Sequence, residues 1–150
     1  MAFVMLDDRT ERLECSLFAD IYDNYRDLLV GDPLLVAEGS LAIDSFSNTL
    51  RLTVEKLYDM AQAREAFSRG LLINWAVPDD RNRAADFIDE LASYLQPYRG
   101  GASTVSIHYI AASAQATVQL GDEWRVRPSD ELLHQLRLGL GEAAVQVRYG

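Results

Sequence analysis

Three prolines govern what the second half of this chain can become. Proline has no backbone N–H and holds φ near about −65°, so it ends strands and stops helices. Pro78 closes the apolar run 71–77, Leu-Leu-Ile-Asn-Trp-Ala-Val, which reads as a buried strand. Asp79 or Asp80 can then cap a helix over 81–95, whose apolar stripe is Ala84, Phe87, Ile88, Leu91 and Leu95, and Pro97 stops it. Gly100-Gly101 opens a turn. Val105, Ile107 and Tyr109 alternate with Ser106 and His108, and residues 115–120 supply a partner strand. Trp124 to Arg127 is a short extended piece. Pro128 precedes Ser129-Asp130-Glu131, a cap followed by carboxylates that suit a helix N-terminus. Leu132, Leu133, Leu136 and Leu140 continue at helical spacing, Gly139 and Gly141 end the helix, and residues 144–149 form a last strand. The order is strand, helix, strand, strand, helix, strand, which predicts a small βαββαβ ferredoxin-like sandwich.

The first seventy residues have another rhythm. Residues 2–8 are apolar until Asp7-Asp8, and residues 12–17 alternate, with Leu13, Cys15 and Leu17 on one face. That pattern predicts a hairpin over 2–17. Ile21, Tyr25, Leu28 and Leu29 predict a helix over 19–29, broken by Gly31-Asp32-Pro33. A strand over 34–37 reaches Gly39, residues 42–49 form a polar connection, and residues 50–54 alternate as a strand. Leu57, Met60, Ala63 and Phe67 predict a helix over 55–69, with Glu65 and Arg69 as an i,i+4 ion pair and Gly70 as its C-cap. The expected parts are 1–54, a connecting helix 55–70, and an α+β domain 71–150.

Composition excludes several classes. At 49% hydrophobic and 25% charged residues, the chain has the balance of an ordinary globular protein. Its one cysteine excludes an internal disulfide and a Cys-based zinc site, and fits a reducing, cytoplasmic setting. No apolar run approaches the roughly 20 residues of a membrane span, and the first residues lack a signal-peptide pattern. The net charge of −9 argues against a general affinity for nucleic-acid phosphates. Split at residue 70, the first part carries 13 acids and 7 bases and the second 10 and 7. Any DNA contact is therefore confined to a local arginine patch, weak and salt-sensitive.

No catalytic constellation is visible. Asp7, Asp8, Glu11 and Glu14 are the densest carboxylate cluster, and they read as a solvated hairpin turn more readily than as a metal site. His108 and His134 have no Cys or His at ligand spacing, and Cys15 has an inward register. There is no phosphate loop, dinucleotide fingerprint or nucleophile elbow. The chain by itself reads as a non-enzyme, with no cofactor and no metal. Binding is the better prospect. Phe3, Arg9, Arg12, Phe46 and Arg51 lie on or beside the strand–hairpin region, and stacking aromatics with phosphate-directed arginines are what single-strand binders use.

The run 1–18, Met-Ala-Phe-Val-Met-Leu-Asp-Asp-Arg-Thr-Glu-Arg-Leu-Glu-Cys-Ser-Leu-Phe, resembles the second and third strands of an OB-fold. More narrowly, it resembles the OB domain of the bacterial replicative DNA polymerase III α subunit family. Residues 22–29 are similar to that domain's helix, 34–39 to its fourth strand, and 50–52 with 57–60 to its fifth strand and exit helix. Residues 97–101 and then 120–133, Leu-Gly-Asp-Glu-Trp-Arg-Val-Arg-Pro-Ser-Asp-Glu-Leu-Leu, resemble the family's extreme C-terminal domain.

The resemblance implies a truncated five-strand OB-type β-barrel, its first strand missing, ahead of the ferredoxin-like part. It implies an OB region near single-stranded template and a C-terminal domain that contacts the clamp-loader τ subunit at the replisome. The polymerase palm and the internal clamp-binding motif lie upstream in that family, so no catalytic carboxylate carries over. Glu11 stands where the family pattern has a turn glycine, and Asn48-Thr49 replaces a second glycine-bearing turn. The final strand, through Val145, Val147, Arg148 and Tyr149, is the expected τ contact. A barrel lacking one strand also leaves edges through which two copies could pair as a homodimer.

Overall fold

The computed structural model describes all of residues 1–150. The chain divides into two compact units, Met1–Ala63 and Arg64–Gly150. It is an α+β protein with two four-stranded sheets and no closed barrel. No helix is long and apolar enough to cross a membrane.

In the first unit, β1 (Ala2–Asp7) and β2 (Arg12–Leu17) form the expected hairpin, with Val4 opposite Cys15 and Leu6 opposite Leu13. The turn takes its left-handed residue at Arg9 (φ 71°), not at Glu11. The Asp7 and Asp8 carboxylates accept from backbone N–H groups of residues 9–11 and so hold that conformation without glycine. Helix α1 (Ala19–Tyr25) tightens into a 3-10 turn over Arg26–Leu29. Strands β3 (Leu35–Ile43) and β4 (Leu50–Asp59) follow. The sheet order is β1-β2-β4-β3, antiparallel except for the parallel pair β2–β4. Its core is Cys15, Leu17, Leu52, Val54 and Leu57, with Ile21, Tyr25 and Leu28 packed on it. Burial pushes the Cys15 thiol pKa up, as for an inert core thiol.

Two expectations fail here for one reason. The helix expected from residue 55 starts only at Met60, and β3 runs past Gly39 to Ile43. Leu57, Tyr58 and Asp59 pair with Ala37, Val36 and Leu35, so long-range pairing overrides the helical spacing of 57–63. Gly39 sits at a register shift, where an added Cβ would lie 2.0 Å from the Thr53 carbonyl oxygen. Glycine is therefore a close-approach residue that keeps the strand continuous, not its end.

Helix α2 (Met60–Phe67) leads directly into β5 (Ser68–Ala76). Gly70 is thus a strand residue rather than a helix cap. Arg69 also lies in β5, so the expected Glu65–Arg69 helical pair does not form; Glu65 approaches Arg127 at 4.0 Å instead.

The second unit follows the proline punctuation closely. Helix α3 (Arg81–Leu95) is capped by Asp80, which accepts from the Asn82 N–H at 2.9 Å. Strands β6 (Arg99–Ile110) and β7 (Gln115–Gln119) come next. Helix α4 (Asp130–Leu140) is capped by Ser129, and β8 (Val145–Tyr149) is last. Gly101 belongs to β6 because the Val126 backbone presses on it; a Cβ there would meet Val126 oxygen at 2.1 Å. Gly139 lies inside α4, against the Tyr94 ring, and Gly141 (φ 102°) ends the helix. The piece 124–127 is extended from Arg125 onward, without joining a sheet as a full strand. Asp122–Trp124 is a 3-10 turn, and Val126 makes single bridges to Arg99 and Ser103.

The element order is as expected, but the layout is not ferredoxin-like. The sheet order is β7-β6-β5-β8, with β5 and β6 parallel and directly paired from Gly70–Thr104 to Ala76–Ile110. In a split βαβ sandwich the third strand would separate that pair. Here β7 (Gln-Ala-Thr-Val-Gln) is exposed at every residue, so it suits only an edge. Strand β6 instead alternates buried Ser103, Val105 and Ile107 with half-buried neighbours, as an inner strand does. The core is Leu71, Ile73, Val105, Ile107 and Val145 beneath Leu91 and Leu95 of α3 and Leu132, Leu133 and Leu136 of α4.

Candidate nucleic-acid interface

The hairpin, the β3–β4 loop and β4 bring the five candidate side chains to the first unit, in different states. Strand β1 alternates, leaving Phe3 and Met5 on the face opposite the core. Arg51 shares that outer face, because its parallel partner is Glu14 of β2. The Arg51 guanidinium lies over the Phe3 ring, 5.3 Å from its centroid, at cation–π range. Its two terminal nitrogens bond to Glu14 and to Asp44, and its Nε is buried without a hydrogen-bond partner.

Asp44 organises the β3–β4 loop. Its Oδ1 accepts from the Phe46 N–H at 2.8 Å, the Ser47 N–H at 2.9 Å and the Ser47 hydroxyl at 3.2 Å. Its own backbone closes the loop, with N–H to Thr49 oxygen at 2.9 Å and its oxygen accepting from Asn48 N–H at 2.8 Å. Asn48 takes the left-handed conformation at φ 55°, the role a glycine would fill. The Ser47 and Phe46 N–H groups, aided by Arg51, hold the Asp44 carboxyl below its ordinary pKa. The loop thereby presents Phe46 at 99% exposure.

The arginines of the hairpin differ from Arg51. Arg9 sits at the exposed turn. Arg12 pairs with Asp7 at 2.9 Å, both of them largely exposed. Three carboxylates of the acidic cluster noted in the sequence have such partners, and Glu11 takes part only through its backbone. Asp7 serves Arg12, Asp8 serves Thr10 and the turn, and Glu14 serves Arg51. The Thr10 hydroxyl, followed by the Glu11 and Thr10 N–H groups, lowers the Asp8 pKa to about 2.

A groove of about 1210 Å³ runs beside the hairpin. Its walls include Val4, Leu6, Leu13 and Leu35, and its rim carries Asp7, Asp8, Glu11 and Asp32 alongside Arg9 and Arg12. Apolar walls under an acid-rich rim are a poor match to a polyanion.

The docking candidates lie in the second unit on β8, which pairs only with β5 and so forms a sheet edge. Val145 is buried in the core and Val147 packs against it. Tyr149 is 56% exposed and Arg148 points to the face opposite the core, in register with Gly70. The two histidines stay apart: His108 hydrogen-bonds Thr117 across the β6–β7 pair at 3.0 Å, and His134 is exposed on α4.

Sequence reasoning missed Glu14 and Asp44 as partners of Arg51. The signal for Glu14 was its outward register in β2, and for Asp44 an Asx-type turn start ahead of Ser47.

Residues 90–141, from within α3 to the end of α4, match the family model described as DNA polymerase III subunit alpha, C-terminal domain. The whole chain has relatives under the same name. The DNA polymerase III subunit alpha of Escherichia coli (strain K12) is 38% identical over 144 residues, 96% of this chain and 12% of that protein. That of Vibrio cholerae is 34% identical over 149 residues, and that of Pasteurella multocida 33% over 149 residues, each 99% of this chain and 13% of the relative. Over nearly its whole length the chain is similar to the C-terminal region of DNA polymerase III alpha subunits. The chain spans only about an eighth of the length of those alpha subunits. The family match falls wholly inside the second unit, while the alpha-subunit likeness continues through the first.

Proposed function

We propose that this chain is a non-catalytic module of bacterial DNA replication, acting in the cytoplasm at the replisome. In this reading its second unit docks the clamp-loader τ subunit and its first unit offers a weak, local surface to single-stranded DNA. The observation that carries the reading is the 38% identity to an alpha subunit over 96% of the chain.

The sheet order of the first unit supports an OB-type origin. In an OB barrel the second, third, fifth and fourth strands lie side by side, with the third and fifth parallel. That is the order β1-β2-β4-β3, with β2 and β4 parallel. The single-strand surface comprises Phe3 and Phe46 for stacking and Arg9 and Arg12 for phosphate, with Arg51 held beside them by Glu14 and Asp44. On β8, Tyr149 and Arg148 are the side chains available to τ, and Val145 and Val147 contribute through the edge backbone. DNA-directed polymerisation belongs to the full-length relatives and is not proposed for this chain.

Calorimetric titration with purified τ subunit tests the docking. A saturable 1:1 complex is expected, weakened about tenfold or more by Tyr149→Ala with Arg148→Glu. No heat of binding with a folded chain overturns it.

A second reading rests on a separate observation. Leu41, Ile43 and Leu50 occupy core-facing registers of β3 and β4 yet are 56%, 66% and 53% exposed. Together with the unpaired edges of β1 and β3, they favour self-association of two copies through the open sheet. Sedimentation at rising concentration gives a dimer on this reading. A monomer throughout excludes it.

A further inference from the structure

Arg51 is tied down more completely than any other candidate for nucleic-acid contact. One guanidinium charge faces two carboxylates, Glu14 and Asp44, so the cluster is net negative and its field repels a phosphate. Its flat face is occupied by the Phe3 ring. A planar guanidinium with two forked nitrogens can hold two carboxylates at once, which a lysine ammonium on its flexible stem does poorly.

What those contacts do is mechanical. Asp44 uses one carboxylate oxygen to hold the Phe46 and Ser47 N–H groups, and the other to meet Arg51. Arg51 in turn is anchored through Glu14 on β2 and through its own strand β4. The loop that carries Phe46 is therefore tied to the middle of the sheet by one side chain.

We propose that Arg51 is a positioning residue: through Asp44 it fixes the pose of the Phe46 loop, and through its guanidinium face it backs the Phe3 ring, without itself touching the nucleic acid. This rests on the single-strand reading given above. Preorganisation of this kind lowers the ordering cost of binding, so removing it costs affinity even though no contact to the ligand is lost.

The test uses the whole chain, a fluorescein-labelled oligothymidylate of about twelve nucleotides, within the span of one OB-type site, and anisotropy at several salt concentrations. Arg51→Met is expected to weaken binding about tenfold while leaving the slope of log affinity against log salt unchanged. Arg51→Lys is expected to fail in the same way. In a Phe46→Ala background, Arg51→Met should have a smaller further effect, limited to what the Phe3 ring loses with its guanidinium backing. Amide exchange read by NMR should quicken at Phe46 and Ser47 in both Arg51 variants, and thermal melts establish that they remain folded.

The opposite pattern overturns the proposal. A phosphate contact made by Arg51 predicts a slope shallower by about 0.7 in Arg51→Met, recovery of most affinity in Arg51→Lys, and unaltered exchange at Phe46 and Ser47. If the unaltered chain binds no oligothymidylate, the single-strand reading itself falls. In that case faster loop exchange in Arg51→Met still supports the loop-holding role, and unchanged exchange removes it.

Discussion

Ser68 of β5 and Ser103 of β6 share a buried hydrogen bond of 2.7 Å between their hydroxyls. They are the only polar side chains buried in the second unit. Each satisfies the other where no water reaches, so losing one orphans its partner.

Ser103→Ala is therefore expected to destabilise the second unit by about 1–3 kcal/mol, the cost of an unpaired buried hydroxyl. Replacing both serines by alanine should cost less than the sum of the single changes. Denaturant melts of the two single variants and the double variant measure that coupling. Strict additivity would mean the bond contributes nothing.

Trp75 and Phe87 stack with ring centroids 4.2 Å apart and planes 6° from parallel, joining the end of β5 to helix α3. Phe87→Ala should lower stability by about 2–4 kcal/mol, less than a fully buried ring because Phe87 is half-exposed. Tryptophan fluorescence should shift to the red as Trp75 loses its cover. An unshifted spectrum with unchanged stability would contradict the packing described.

Gly39→Ala forces a methyl against the Thr53 carbonyl at the β3–β4 irregularity. The strands must separate locally, at a cost of about 2–3 kcal/mol. Amide exchange along β3 and β4 should quicken, while the second unit's core amides hold their protection. Equal loss in both units would show that the two do not melt independently.

The Asp8 carboxyl supplies a pH signature. Its pKa is lowered from 3.8 to about 2 in the folded chain, chiefly by the Thr10 hydroxyl and then by the Glu11 and Thr10 N–H groups. A depressed folded pKa means the stabilisation is complete above the unfolded value and disappears as pH falls through the folded one. Asp8 thus contributes an acid limb between pH of about 4 and about 2. Asp8→Asn keeps an acceptor oxygen for the turn but cannot titrate. Its melting temperature should fall less steeply over that window than that of the unaltered chain.

The second unit was legible wherever a residue type acts locally. Pro78, Asp80, Pro97 and Ser129 each set an element end that the structure keeps. What the sequence could not convey was pairing at a distance. Nothing local says that β5 takes β6 rather than β7 as its neighbour; the exposure of β7 and the buried alternation of β6 decide it only once the sheet exists. The same holds at residues 55–59, where apolar spacing suits a helix but Leu35–Ala37 claim the segment as a strand. At the candidate site, the aromatic residues were visible and their exposure was not. Arg51 looked like a phosphate ligand because its two carboxylate partners lie 37 and 7 residues away in sequence.

The proposed function gives τ docking to the second unit and single-strand contact to the first. Titrating τ subunit and labelled oligothymidylate into the same two variants of the whole chain, Phe46→Ala and Tyr149→Ala, separates the two tasks. Phe46→Ala should weaken oligothymidylate binding about tenfold, from loss of one stacked base, and leave τ affinity unchanged. Tyr149→Ala should weaken τ and leave the oligonucleotide unchanged. A variant that weakens both ligands alike, or an unaltered chain that binds neither, would contradict the division.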